Sequence, residues 1–280
     1  MDIKQTISIR KSIRTYKNEP LPHEIRDKLE QYIKNVKGPF DTQMRFVMVD
    51  TDNAVSGAKL GTYGVISGAG TFICAAVKPQ DRYEENLGYA FEKIILYATS
   101  LGLGTCWLGG TFNRSEFSKA VGLEEGEIMP VVTPLGYARE KRSLVDSILY
   151  IGAGSKNRKD WPELFFDKSY DTPLSKESSG FFREALEMVR LAPSASNKQP
   201  WRIVKDGDIL HFFLKRSAGY KNIIGFDIQR LDIGIAMCHM DLMMNDLGYK
   251  GDWVDIDPKS SVNENAEYII SYRLNASENI

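Results

Sequence analysis

The sequence predicts an α+β fold built from two similar halves, with two antiparallel or mixed sheets packed around long central helices. Three observations carry this. Two stretches, Asn86–Ser100 and Leu231–Asp246, are apolar almost all round at helical length, the pattern of central rather than superficial helices. Glycine and tryptophan recur around both at matching distances. Gly88 and Gly102 are fourteen residues apart, as are Gly234 and Gly248; Gly88 to Trp107 is nineteen, as is Gly234 to Trp253. In each half the long helix also lies between β-patterned segments in matched order. Two buried helices capped by Leu-Gly would resemble each other in any protein; the shared tryptophan and the element order favour duplication, and with it a fused dimer.

The elements follow in order. Residues 1–20 are basic and begin helically. His23–Val36 reads as an amphipathic helix, with Ile25, Leu29, Tyr32, Ile33 and Val36 near helical spacing and Gly38-Pro39 ending it. Arg45–Val49 reads as a strand and Gly70–Val77 as a buried strand. The first long helix, Asn86–Ser100, closes with a glycine cap at Leu101-Gly102-Leu103-Gly104. Ile128–Gly136 reads as another strand. Residues 139–175 break the rhythm, and Trp161, Leu164, Phe165, Phe166 and Tyr170 are too apolar for a solvated tether. The expected organisation is a first half at 1–150, a connector packing across the other half at 151–178, and a second half at 179–280. Within the last, Ser179–Leu191 reads as a helix. Trp201–Val204 and Ile209–Leu214 read as strands joined by an Asp206-Gly207 hairpin turn. Leu231–Asp246 is the second long helix and Glu267–Leu274 a final strand.

Composition excludes several classes. The 280 residues are 42% hydrophobic and 26% charged, as in an ordinary globular protein. Lys plus Arg number 36 against 37 Asp plus Glu, so bulk charge gives no reason to expect a nucleic-acid partner. The start has no apolar core of signal-peptide length, and no apolar run approaches the ~20 residues of a membrane span. A cytoplasmic protein with no membrane partner is expected. Cys74, Cys106 and Cys238 form no CxxC pair and read as free buried thiols. Of the histidines, His23 reads as solvated, His211 lies in a strand, and His239 reads as a hydrogen-bonded core residue. No metal site is expected.

Four strings carry candidate chemistry. Arg10-Lys11-Ser12-Ile13-Arg14 places three cations and a hydroxyl within five residues. Arginine's planar fork fits phosphate oxygens, and Arg10 and Arg14 share a face if this turn is helical. In isolation such a string is as readily a solvated basic terminus. Ala192-Pro193-Ser194-Ala195-Ser196-Asn197-Lys198-Gln199-Pro200-Trp201 follows a helix and precedes a strand. Its small residues let backbone approach a planar ligand, and its hydroxyls and amides suit a ring edge; the same residues also form ordinary turns. Gly102 to Gly110 can bring backbone N–H groups against a ligand, or can simply be a cap and tight turn. Arg139-Glu140-Lys141-Arg142 follows a strand end, where cations can complete a phosphate site or form a solvated loop.

In this order the strings resemble the nitroreductase-like flavoenzyme family. Arg10 to Tyr16 is similar to its opening motif and Ala192-Pro193-Ser194 through Gln199-Pro200-Trp201 to its flavin-edge motif. Gly102–Gly110 and Leu135-Gly136-Tyr137 with Arg142 are similar to two later ones. One departure is informative. The flavin-edge motif is displaced by about 150 residues into the second half, and Lys37 to Gln43 stands at its expected place in altered form. The second half has no RxSxR. In the family dimer each FMN lies between the opening motif of one subunit and the flavin-edge motif of the other. The resemblance therefore implies one FMN per chain, in a monomer that mimics a dimer.

By resemblance, Arg10 and Arg142 would grip the FMN phosphate, with Lys141 as a weaker candidate and Lys11 adding charge. Ser12 would bond near the ribityl or pyrimidine end, and Arg14 would approach N1 and O2. Gly109 or Gly110 would offer an N–H near N5, and Pro193, Ser194, Ser196, Asn197 and Gln199 would line the ring. Glu140 stands where the family carries a lysine, so Arg139 or Lys141 would substitute. The implied activity is an FMN-dependent NAD(P)H oxidoreductase, passing hydride through flavin N5 from NADH or NADPH to a small nitroaromatic or quinone-type acceptor. The alternatives are an FMN-binding carrier or sensor without turnover, and a non-flavin scaffold whose repeat only buries a core.

Overall fold

The computed structural model describes residues 1–51, 60–140, 157–218, 225–256, 258 and 265–275. In chain order these form α1 (Ile3–Ile9), α2 (His23–Asn35), β1 (Met44–Asp50), β2 (Thr71–Val77), α3 (Tyr83–Ser100), α4 (Arg114–Val121) and β3 (Val132–Leu135). Then follow α5 (Trp161–Leu164), β4 (Phe165–Asp167), α6 (Arg183–Leu191), β5 (Trp201–Asp206), β6 (Ile209–Leu214), α7 (Ile228–Asp246), β7 (Gly251–Val254) and β8 (Glu267–Leu274).

The strands make two sheets. The first has order β1-β2-β3, all antiparallel, and isolated bridges Leu108↔Val132 and Gly104↔Gly136 lay residues 104–108 alongside β3. The second has order β4-β5-β6-β8-β7, antiparallel except for the parallel pair β4·β5. β2 is buried at every position, so its run Thr-Phe-Ile-Cys-Ala-Ala-Val is continuously small or apolar instead of alternating.

Between the sheets lie α3 and α7, of 18 and 19 residues. Their approach is set by two glycines. A Cβ on Gly88 would fall 2.1 Å from the Leu231 carbonyl oxygen, and one on Gly234 would fall 2.0 Å from that of Glu85. The contact is reciprocal, because Leu231 and Glu85 each stand three residues before the opposite glycine. Glu92 and His239, both fully buried, meet across this pair with Nε2 2.9 Å from Oε1. His239 Nδ1 donates to the Met188 carbonyl at 2.9 Å, and Trp107 Nε1 donates to the other Glu92 oxygen at 2.7 Å. One continuous core runs from Ile3 and Leu29 through Leu87 and Phe91 to Leu186, Phe212 and Met240. α1 packs on α3, α6 and α7, and Lys4 pairs with Glu184 at its exposed edge. In the 157–178 segment, Trp161, Leu164 and Phe165 are buried, and β4 extends the second sheet at its β5 edge.

Several boundaries differ from the sequence reading, for local reasons. α7 begins three residues earlier than expected because the Asp227 side chain caps it, accepting from the N–H groups of Gln229 and Arg230. α3 likewise begins at Tyr83, ahead of its apolar stretch. β3 covers only Val132–Leu135: Ile128 bridges Val77 alone, and Pro130, which lacks an N–H, interrupts the strand. The turn before α6 is a 3₁₀ turn over Gly180–Phe182. α4, α5, β4 and β7 are additional short elements. The residues after α1 are not helical: Arg10 has φ −60°, ψ 126°, and the chain runs extended through Ser12, Thr15 and Tyr16, each in a β-bridge.

Candidate functional site

The extended course of Arg10–Tyr16 decides what its side chains do. Ile13 N–H donates to Thr105 O at 2.8 Å, Ser67 N–H to Arg14 O at 2.9 Å, Tyr16 N–H to Ser67 O at 2.8 Å and Arg139 N–H to Thr15 O at 3.0 Å. The string is thus bracketed by the segment after Gly104, by Ser67 and by the strand end at Tyr137–Arg139. Extended backbone alternates with a period of two, so Arg10, Ser12 and Arg14 share one side. Ile13 faces the other and covers Gly104, whose Cβ would lie 2.8 Å from Ile13 Cγ1. The helical i,i+4 face expected for Arg10 and Arg14 is replaced by this strand face. All three are half-buried; Lys11 is exposed.

The glycine turn is held from behind by Arg114, on α4. Its guanidinium donates to the carbonyls of Gly109, Met129 and Pro130, the last two at 3.1 and 3.2 Å. It sits 5.0 Å from the Phe112 ring centre and 5.8 Å from that of Phe226. Burial lowers its pKa. With the Gly109 carbonyl bound to Arg114, the planar peptide turns the Gly110 N–H to the opposite side. A Cβ on Gly109 would come 3.2 Å from Ile228 and 3.8 Å from Phe226, so the start of α7 closes over this turn.

The flavin-edge string forms a tight loop with Ser196, Asn197 and Gln199 at φ 45°, 55° and 47°. Left-handed backbone costs roughly 1 kcal/mol or more per residue outside glycine, so the surroundings must impose it. They do so with several bonds. Ala195 N–H donates to both Asp232 oxygens at 3.0 and 3.1 Å, and Gln199 N–H to Ser194 Oγ at 2.8 Å. Lys159 N–H donates to Gln199 Oε1 at 2.8 Å, and Gln199 Nε2 donates to Asn197 O at 3.1 Å. Gln199 is therefore buried with both ends of its amide engaged within the protein; it braces the loop, whereas Ser196 on the same loop is exposed. Pro193 is buried, and Ser194 and Asn197 are half-buried. Burial pushes the Asp232 carboxyl well above its usual range, partly opposed by the Ala195 N–H.

Arg158, just ahead of α5, braces the flavin-edge string. It donates to Asn197 Oδ1 and, at 2.9 Å, to Leu191 O. Burial, and then the charges of Arg10 and Arg190, pull its pKa down to about 10. Arg190 is paired with Glu187 at 2.6 Å, whereas Arg10 and Arg158 have no ion pair among the described residues. Two guanidinium groups, one near the N-terminus and one from the middle of the chain, thus share a neighbourhood that lacks a paired carboxylate among the described residues. Arg142 and Lys141 lie outside the described residues. Arg158, Arg114 and Asp232 escaped the sequence reading. Each acts on a backbone group or a residue distant in the chain, and no local spacing signals that.

Among the described residues no cluster of three or more His, Cys, Asp or Glu could hold a metal, and no helix is long and apolar enough to cross a membrane. All three cysteines are free and buried.

Residues 2–244 match the family model described as "Putative TM nitroreductase". A relative from Archaeoglobus fulgidus, "Putative NADH dehydrogenase/NAD(P)H nitroreductase", is 26% identical over 168 residues, covering 55% of this chain and 96% of its own. The crystal structure of a "putative nitroreductase" from Thermotoga maritima MSB8 shares the fold, with a TM-score of 0.63 at 19% identity over 99% of this chain and 95% of that one. A nitroreductase with bound FMN from Bacteroides fragilis NCTC 9343 aligns at 22% identity and a TM-score of 0.41, over 51% of this chain and 92% of that one. The family match runs from the opening string through the glycine turn and the flavin-edge loop into α7, and the chain belongs to this nitroreductase family.

Proposed function

We propose that the chain is an FMN-dependent NAD(P)H oxidoreductase acting on nitroaromatic or quinone-type acceptors, with one FMN held between two halves of a duplicated chain. The observation that carries this is Arg158, which donates to Asn197 of the flavin-edge string and lies close enough to Arg10 of the opening string to feel its charge. The residues present suit FMN. Arg10 and Arg158 are cations without a paired carboxylate among the described residues, as a phosphate requires. The left-handed loop and the glycine turn present backbone and small side chains to a planar group.

When bound, FMN supplies hydride acceptance from a nicotinamide and delivery to the acceptor. Arg10 and Arg158, with Arg142, would bind the phosphate. Arg14 would stabilise negative charge gained by the ring. Arg114, by fixing the Gly109 carbonyl, would present the Gly110 N–H to N5. Ser194, Ser196 and Asn197 would contact the ring edge, and Phe226 would shield the turn from water.

Three features support duplication. The order β1-β2-β3 followed by residues 104–108 parallels β5-β6-β8-β7. Asn86 and Asp232 each stand two residues before the crossing glycine, and each accepts from a loop N–H: Phe40 to Asn86 at 2.8 Å, Ala195 to Asp232 at 3.0 Å. The Archaeoglobus relative is nearly whole while covering about half of this chain. The cleft beside Lys37-Gly38-Pro39, about 380 Å³, would be the lost twin; Tyr89 donates to Asp241 within it, and no RxSxR string serves it. The chain would work as a monomer.

The test is reconstitution. Purified protein should take up one FMN per chain and turn yellow, and the visible band should bleach anaerobically with NADH or NADPH. Protein that takes up no FMN refutes the proposal; uptake without bleaching leaves a carrier or sensor.

A further inference from the structure

A second cleft, of about 430 Å³, lies beside the flavin-edge loop and is lined by Lys159, Tyr170, Lys198, Arg202, Lys215 and Arg216 among others. Its charge is one-sided: five of these six are cations, and Glu163 is the one carboxylate lining it among the described residues. Two of the cations are matched. Arg216 pairs with Asp227 and Glu267, both at 2.7 Å, and Lys159 lies 3.7 Å from Glu163. Lys198, Arg202 and Lys215 have no ion pair among the described residues.

Arg202 is the informative one. It is 6% exposed, on β5, and burial lowers its pKa. Its Nη1 donates to the carbonyls of Gln199 at 3.0 Å and Trp201 at 2.6 Å; Nε and Nη2 make no hydrogen bond among the described residues. The Tyr170 hydroxyl, close enough to Arg202 for the two to interact electrostatically, is buried without a hydrogen-bond partner among the described residues. Buried guanidinium groups and hydroxyls ordinarily find acceptors. Both residues line one cavity and carry donors, and an oxyanion there would satisfy both. Tyr170 stacks on Phe166 with ring centres 4.7 Å apart, and such an apolar wall strengthens charge attraction.

We infer that this cleft binds a phosphate-class oxyanion, with Arg202 and Tyr170 as its buried donors and Lys198 and Lys215 as the cations at its mouth. The oxyanion is free phosphate or a phosphate group of the nicotinamide donor; the second source rests on the function proposed above. Occupancy would also stiffen the flavin-edge loop, since Arg202 holds the Gln199 carbonyl and Lys198 belongs to the loop.

The experiment titrates inorganic phosphate into the full-length protein in chloride buffer by calorimetry. Saturable binding is expected, weakened about tenfold by Lys198→Ala/Lys215→Ala and about fivefold by Tyr170→Phe, which removes one hydroxyl and leaves the ring packing intact. No saturation by about 10 mM, or equal binding by both variants and the parent, overturns the inference. Displacement of phosphate by NADPH assigns the site to the donor, and absence of displacement assigns it to the free ion. A protein that binds phosphate with this sensitivity but takes up no FMN keeps this site and loses the flavin reading.

Discussion

Arg10, Ser12 and Arg14 reach a common side because the chain is extended there, and the bonds from Ile13 and Ser67 hold it so. If Arg10 grips phosphate, Arg10→Ala should weaken FMN binding by about 1–3 kcal/mol, the range of charge-assisted bonds, read from quenching of flavin fluorescence. Arg114 predicts a different signature. Arg114→Met removes the bond on the Gly109 carbonyl while retaining an unbranched side chain between Phe112 and Phe226. If the chain holds FMN as proposed, the flavin midpoint potential should shift by tens of millivolts, on the order of 1 kcal/mol, with FMN affinity nearly unchanged. An unaltered potential would leave Arg114 a loop brace and nothing more. At this scale the sequence marks where cations and glycines gather, as in Arg10–Arg14 and Gly102–Gly110, but not the extended backbone that sets the direction of Arg10 and Arg14. It is silent on Arg114, whose acceptors at Met129 and Pro130 lie far along the chain, and on Arg158, whose partner Asn197 is a loop residue with no spacing relation to it.

At the scale of elements, legibility follows apolar content. β2, α3 and α7 are buried nearly all round, so composition alone marks them; α4 and β7 present short, mixed faces, and β4 exists through its pairing with β5. The start of α7 is set by the Asp227 cap and not by apolar residues, so the apolar run begins inside the helix. The start of α3 also carries a pH-sensitive group. Glu85 is fully buried; Arg230 Nη1 lies 3.1 Å away without hydrogen-bond alignment, so both carboxyl oxygens lack a hydrogen-bond partner among the described residues. Burial raises its pKa from 4.5 to about 7, with Arg230 opposing. Between those values the folded chain keeps a proton that the unfolded chain has lost. Stability should therefore fall as pH rises through that window and level off above it, by about 3 kcal/mol in all. Urea midpoints of Glu85→Gln should show that slope removed; an unchanged slope would assign the pH dependence elsewhere.

For the whole molecule, the repeated glycine and tryptophan distances mark α3 and α7 as two similarly patterned stretches of sequence. What sequence could not supply was how closely the parts approach, because a glycine in a helix looks the same whether it faces solvent, side chain or another backbone. Here each crossing glycine faces a carbonyl of the opposite helix. That reciprocity has a consequence for mutational coupling. A methyl group at either position forces the same rigid spines apart, so the penalty belongs to the gap and not to the residue. Gly88→Ala and Gly234→Ala should each destabilise by about 1–3 kcal/mol, as overpacked interiors do. The double variant should lose far less than their sum, since the first methyl opens the space that the second then occupies. Full additivity in a double-mutant cycle would mean that the spines yield independently at the two points.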